Sequence, residues 1–95
     1  MEPLLLRRVL LGSSHRPTGK TRHMRGRQTL PVPFELRIVR FFDDSGCYLF
    51  YCDEDGREFT DTYHANPEAA MAQAEWEFGV RPDEWEEPPS ASNVT

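Results

Sequence analysis

The sequence predicts an α+β domain: a three-stranded antiparallel meander over about residues 34–42, 47–53 and 57–63, with one helix over about residues 67–78 packed on one face. Three observations carry this expectation. From residue 34 to residue 63, apolar residues recur at strand spacing around two acidic turns that end in glycine, Asp43-Asp44-Ser45-Gly46 and Asp53-Glu54-Asp55-Gly56. At Asn66-Pro67-Glu68 three helix-start signals coincide: an asparagine oxygen to cap, a proline in the first turn, and an acid at the positive end of the helix dipole. The charge is also divided. Residues 1 to 30 carry seven Arg or Lys against Glu2, a charge of +6, whereas residues 31 to 95 carry four Arg against fifteen Asp or Glu, a charge of −11. A basic leader thus precedes an acidic body, and only the body has the patterning of a fold.

In the extended lead-in Leu30-Pro31-Val32-Pro33, each proline disfavours helix for the residue before it. In the first predicted strand Phe34, Leu36 and Ile38 share one face and Glu35 and Arg37 the other. At Val39 and Phe41 the second face turns apolar as well, so it needs cover there. Gly46 is expected to supply a positive φ in the first turn. The run Cys47-Tyr48-Leu49-Phe50-Tyr51-Cys52 is apolar on both faces, the mark of a central strand. Asp55-Gly56 closes a hairpin. The third predicted strand places Phe59, Asp61 and Tyr63 on one side and Glu58, Thr60 and Thr62 on the other, and its charges suit a sheet edge. In the helix, Ala70, Met71, Ala74 and Phe78 form an inner stripe, with Ala69, Ala72 and Trp76 outside. Gly79 ends the helix and Trp85 is expected to fold back on the core. The domain then spans residues 31–86, and residues 87–95 form a flexible tail.

Residues 1–30 are rich in Gly, Pro, Ser and Arg and are expected to be a disordered basic leader. The abrupt change of composition also admits a translation start at Met24, with residues 1–23 untranslated. The apolar run at residues 4–11 is broken by Arg7 and Arg8 and is too short to span a bilayer. Its charges lie within the run rather than before it, unlike a signal peptide. Gly19-Lys20-Thr21 resembles the end of a phosphate loop, but the glycine that should stand at position 14 is a serine, so no nucleotide site is expected. Cys47 and Cys52 are five apart in one strand and point to opposite faces, roughly 16 Å apart when extended, well beyond disulfide reach. Two unpaired thiols fit a reducing cytoplasm.

No catalytic, cofactor-binding or metal-binding residue set is legible. Asp61 and His64 lack the further ligands of a zinc site and a nucleophile for the histidine to activate. Asp53-Glu54-Asp55-Gly56 lacks the bidentate glutamate of a calcium loop, since Thr62 stands there. A domain this small buries one thin core and has little chain left to enclose a cleft. The expected role is therefore protein interaction, through a homodimer or another protein partner. The candidate surface is Val39, Phe41, Tyr48, Phe50 and Trp76, the last on the outer side of the helix and free only if the turn at residues 81–85 does not pack over it. Nucleic acid would associate only through the basic residues 1–30, and no membrane or small-molecule partner is indicated.

The run Asp53-Glu54-Asp55-Gly56, the segment Thr60-Asp61-Thr62-Tyr63-His64 and the helix end Glu75-Trp76-Glu77-Phe78-Gly79 together resemble a group of short bacterial proteins of unassigned function, over residues 35 to 85. The hairpin, third strand and helix with Glu68, Ala70 and Ala74 also resemble the N-terminal domain of HicB-like antitoxins. In this chain Cys52-Asp53-Glu54-Asp55-Gly56 replaces that family's Pro-Asp-Leu-Pro-Gly loop, and no DNA-binding segment follows the helix. What the resemblance implies is the masking of a toxin by analogy of fold, rather than operator binding.

Overall fold

A computed structural model describes residues 3–12, 15, 18, 24–25 and 28–88 of the chain. Six strands precede one helix: β1 (Leu4–Leu10), β2 (Met24–Arg25), β3 (Gln28–Thr29), β4 (Glu35–Arg40), β5 (Cys47–Cys52), β6 (Glu58–His64) and α1 (Pro67–Phe78), followed by a 3₁₀ turn at Pro82–Glu84. The main sheet is antiparallel with order β1-β4-β5-β6, and β2 and β3 form a separate two-stranded ribbon.

The expected three-stranded meander therefore has a fourth strand, drawn from the segment read as a disordered leader. Leu5 pairs with Val39 and Leu10 with Glu35. The arginines that disguised this strand are neutralised where they stand. Arg8 Nε lies 2.8 Å from Glu35 Oε2 and its Nη1 3.0 Å from Glu86 Oε2, while Arg7 Nη2 lies 3.3 Å from Glu87 Oε1. The outer edge of β1 is in turn bridged by Glu86, whose N–H donates to the Arg8 carbonyl at 2.8 Å and whose carbonyl accepts from Arg8 N–H at 2.9 Å. The rest of residues 1–30, His23 included, lies largely outside the described residues. Expectations at the two ends of the body are met: β5 is central and β6 is an edge.

One sheet face carries the core. Leu36 and Ile38 of β4, Cys47, Leu49 and Tyr51 of β5, and Val9 of β1 pack against Ala70, Ala74 and Phe78 of α1, and Val80 and Trp85 close the end. Small residues on the helix let it lie close to a sheet with large ones. The helix starts as its sequence dictates, with Asn66 Oδ1 accepting from Ala69 N–H at 2.8 Å, and it stops at Gly79 with φ 72°.

Three local expectations are corrected. Phe34 precedes β4 and is exposed instead of sharing the buried face of Leu36 and Ile38. A register shift between Tyr51 and Cys52 takes Phe59 out of strand alternation, so it packs on the core rather than beside Tyr63. Among the described glycines only Gly56 and Gly79 take a positive φ. Gly46 is needed for a different reason, because a Cβ there would lie 2.1 Å from Tyr63 Oη and 2.7 Å from the His64 carbonyl oxygen. Gly46→Ala is expected to destabilise the fold by about 1–3 kcal/mol, the usual cost of overpacking. The readout is a lower urea midpoint at constant slope, and an unchanged midpoint would mean that Tyr63 and the β6 end give way freely.

Candidate protein interface

Among the described residues the opposite sheet face is left uncovered, and the register sets out three rows of residues across it. Leu5, Val39, Tyr48 and Tyr63 form the first; Arg8, Arg37, Phe50 and Asp61 the second; Leu10, Glu35, Cys52 and Glu58 the third. Phe41, just past β4, joins the aromatic part. Its ring meets Tyr48 edge-on at a centroid distance of 5.5 Å and lies 6.3 Å from Phe50, and Tyr48 meets Tyr63 at 4.9 Å. These rings support one another in the edge-to-face arrangements that aromatic quadrupoles favour. Four of the five candidate surface residues, Val39, Phe41, Tyr48 and Phe50, are thus neighbours. Val39 is the buried floor of the patch, whereas Phe41 and Tyr63 are exposed, and the adjoining Phe42 is 81% exposed.

Trp76 is not part of this patch. It stands on the outer side of α1, 42% exposed, across the helix and the sheet from the aromatic array. Trp85 packs into the core rather than over it.

Charge surrounds the rings. Asp43 and Asp44 border a depression with Phe41 and Tyr48, and Tyr63 Oη donates to Asp44 Oδ1 at 2.6 Å. That hydrogen bond, with a second from Gly46 N–H, holds the Asp44 carboxyl below its usual range. Toward the other end a groove of about 340 Å³ is lined by Leu5, Val39, Phe50, Cys52, Arg37 and Glu58, among others. Arg37 is committed to Glu35 through two contacts, Nε to Oε2 at 2.9 Å and Nη2 to Oε1 at 3.1 Å. Burial raises the Glu35 carboxyl, but the hydrogen bonds from Arg37 and Arg8 outweigh it and keep the pKa below normal. Glu58 behaves oppositely. Burial first, then the hydrogen bond to Asp61 and that residue's charge, push its carboxyl up to about 7.

Other candidates are separated by the fold. Asp61 pairs with Phe50 on the open face, whereas His64 pairs with Cys47 on the helix side, where Thr62 Oγ1 lies 2.7 Å from its Nε2. Burial lowers the His64 pKa. Asp53 Oδ1 accepts from the N–H groups of Asp55 and Arg57, both at 2.9 Å, so the acidic run serves the hairpin turn. Cys47 and Cys52 are free and buried, and burial raises both thiols, that of Cys52 to about 11. Such thiols are unreactive. Among the described residues no group of three His, Cys, Asp or Glu could hold a metal ion, and no helix is long and apolar enough to cross a membrane.

Two features escaped the sequence reading. Glu77 is 4% exposed under the helix, where its carboxylate accepts from Tyr51 Oη and, at 2.8 Å, from Gln73 Nε2. Its place at the spacing of Ala70 and Ala74 was a legible signal, overridden by its charge. In the segment read as a disordered leader, His15 Nε2 lies 2.6 Å from Glu84 Oε2, and Thr18 N–H donates to the Glu77 carbonyl at 2.7 Å. These contacts depend on chain far away in sequence and leave no local mark. The chain matches no family model, no curated protein and no solved structure.

Proposed function

We propose that the chain is a small non-enzymatic protein-interaction module of a bacterial cytoplasm that binds a basic protein through its open sheet face, in the manner of an immunity protein or antitoxin. One observation carries this reading: the mutually packed rings of Phe41, Tyr48, Phe50 and Tyr63 lie on the face the helix leaves uncovered, and Phe42, next to Phe41 in sequence, is 81% exposed. Clustered, pre-ordered aromatics supply most of the energy of typical interfaces at small entropic cost. The acids around them, Asp43, Asp44, Glu58 and Asp61, favour a partner of positive charge and speed its approach. The charge of −11 on residues 31 to 95 opposes the stacking of a second, identical copy on the same face.

Nucleic-acid association through residues 1–30 has less to draw on, because Arg7 and Arg8 are paired with Glu87, Glu35 and Glu86.

The test is co-expression with a basic protein encoded beside this one. Rescue of growth is expected for the native chain and for Trp76→Ser, and is expected to be lost with Phe41→Ser combined with Phe42→Ser. Rescue that survives the double change would remove the open face from the reading. A stable homodimer in sedimentation, broken by the same double change, would replace the basic partner with a second copy.

A further inference from the structure

We propose that the groove of the open face receives one cationic side chain of the partner, an arginine or lysine, its aliphatic stem over Leu5, Val39 and Phe50 and its charged head against the carboxyl pair of Glu58 and Asp61. This rests on the reading of that face as the contact surface for a basic protein, and it specifies what the face selects.

The first step is the bulge. In a regular strand, residues 58 and 61 would point to opposite faces. The register shift at Phe59 changes this: Glu58 pairs with Cys52 and Asp61 with Phe50, two positions apart on β5, so both stand on the open face side by side. Bulges commonly re-aim side chains in this way at functional edges. The result is two adjacent acids on the edge strand beside a groove lined by Leu5, Val39 and Phe50 and by the already paired Arg37. Burial first, and then the hydrogen bond to Asp61 and its charge, hold the Glu58 carboxyl up at about 7.

The second step is charge accounting within the groove. Arg37 lines it, but Glu35 holds that guanidinium by two contacts and also binds Arg8 at 2.8 Å. Among the described residues no cation is ion-paired to Glu58 or Asp61. The charged and titratable groups facing the pair are Arg37 and Glu35 from β4, Arg8 from β1 and the buried Cys52 thiol from β5. The first three form their own network, and the thiol is neutral at physiological pH because burial raises it.

The third step is shape. Leu5, Val39 and Phe50 offer an apolar bed that leads to Glu58, with Asp61 beside it opposite Phe50. A long side chain that buries its methylenes and delivers its charge at the tip matches such a bed, and the Phe50 ring adds attraction for a cation. The head group would displace the proton that Glu58 retains near neutral pH. Docking therefore strengthens as pH rises through about 7 and weakens below it, where Glu58 is protonated.

The experiment follows the side-chain carboxyl carbons of Glu58 and Asp61 by NMR across pH, with N-acetyl-arginine amide or its neutral isostere N-acetyl-citrulline amide at matched ionic strength. The arginine probe is expected to lower the Glu58 midpoint by about one pH unit, a tenfold weaker hold on the proton, and to shift the Val39 and Phe50 signals. The citrulline probe is expected to leave the midpoint in place. In Glu58→Gln, which removes one carboxylate of the pair, the response of Val39 and Phe50 to arginine is expected to disappear. No movement with arginine, or equal movement with citrulline, overturns the proposal. If that happens while growth rescue still depends on Phe41 and Phe42, only the groove's occupant is wrong. Loss of that dependence strikes the interface reading instead.

Discussion

A chain that begins at Met24 is expected to lose most of its stability. It lacks β1, so the outer edge of β4 loses its ladder and Val9, 4% exposed in the native fold, leaves the core together with the packing of Leu6 and Leu11. Burying a Val or Leu side chain contributes roughly 1.5–3 kcal/mol. The truncation also removes Arg8 from Glu35, leaving that buried carboxylate with Arg37 alone, and frees Glu86 from its backbone bridge. The combined loss is on the order of 5 kcal/mol, comparable with the whole stability of about 5–15 kcal/mol usual for a domain. Urea unfolding of the two chains, followed by circular dichroism, is the measurement. The shorter chain is expected to show a broad transition or none, and a midpoint equal to that of the full chain would mean that β1 is dispensable. The intact mass of the natively expressed protein then tells which of the two chains the cell makes.

β1 was hidden for physical reasons that the visible elements do not share. The signals for β4, β5, β6 and α1 are local: alternation at Leu36 and Ile38, a turn at Asp55-Gly56, and a cap at Asn66-Pro67. Leu4-Leu5-Leu6-Arg7-Arg8-Val9-Leu10 has no two-residue alternation, and the partner that makes Arg8 tolerable, Glu35, lies 27 positions away. Glu77 has the spacing of a core residue, but its burial depends on a hydroxyl of β5 that no periodicity reveals. The bulge at Phe59 is equally silent, since it arises from the pairing of β6 with β5. The candidate surface was more legible. Val39, Phe41, Tyr48 and Phe50 could be selected because the second face of two neighbouring strands was more apolar than water permits. Tyr63 and the Glu58–Asp61 pair join that surface only through strand register.

Trp85→Ala is expected to cost about 3–5 kcal/mol, the range for deleting a large aromatic from a core. Trp85 belongs to the core that includes Phe78, Val80 and Val9, and it sits between two long-range ties. On one side Glu84 accepts from Arg81 N–H at 2.8 Å and meets His15 at 2.6 Å; on the other, Glu86 bridges β1. Losing the indole therefore opens a cavity and loosens the clamp that holds the first strand. Trp85→Phe is expected to cost much less, because among the described residues the indole N–H has no hydrogen-bond partner to lose and the phenyl ring refills most of the space. Trp76→Ala should stay within about 0.5 kcal/mol, as surface changes usually do. Fluorescence separates the two tryptophans. In Trp76→Phe the remaining emission is expected to be blue-shifted when folded and to move to the red in urea, whereas in Trp85→Phe it should change little. Equal destabilisation at both positions would contradict the placement of Trp85 in the core and of Trp76 outside it.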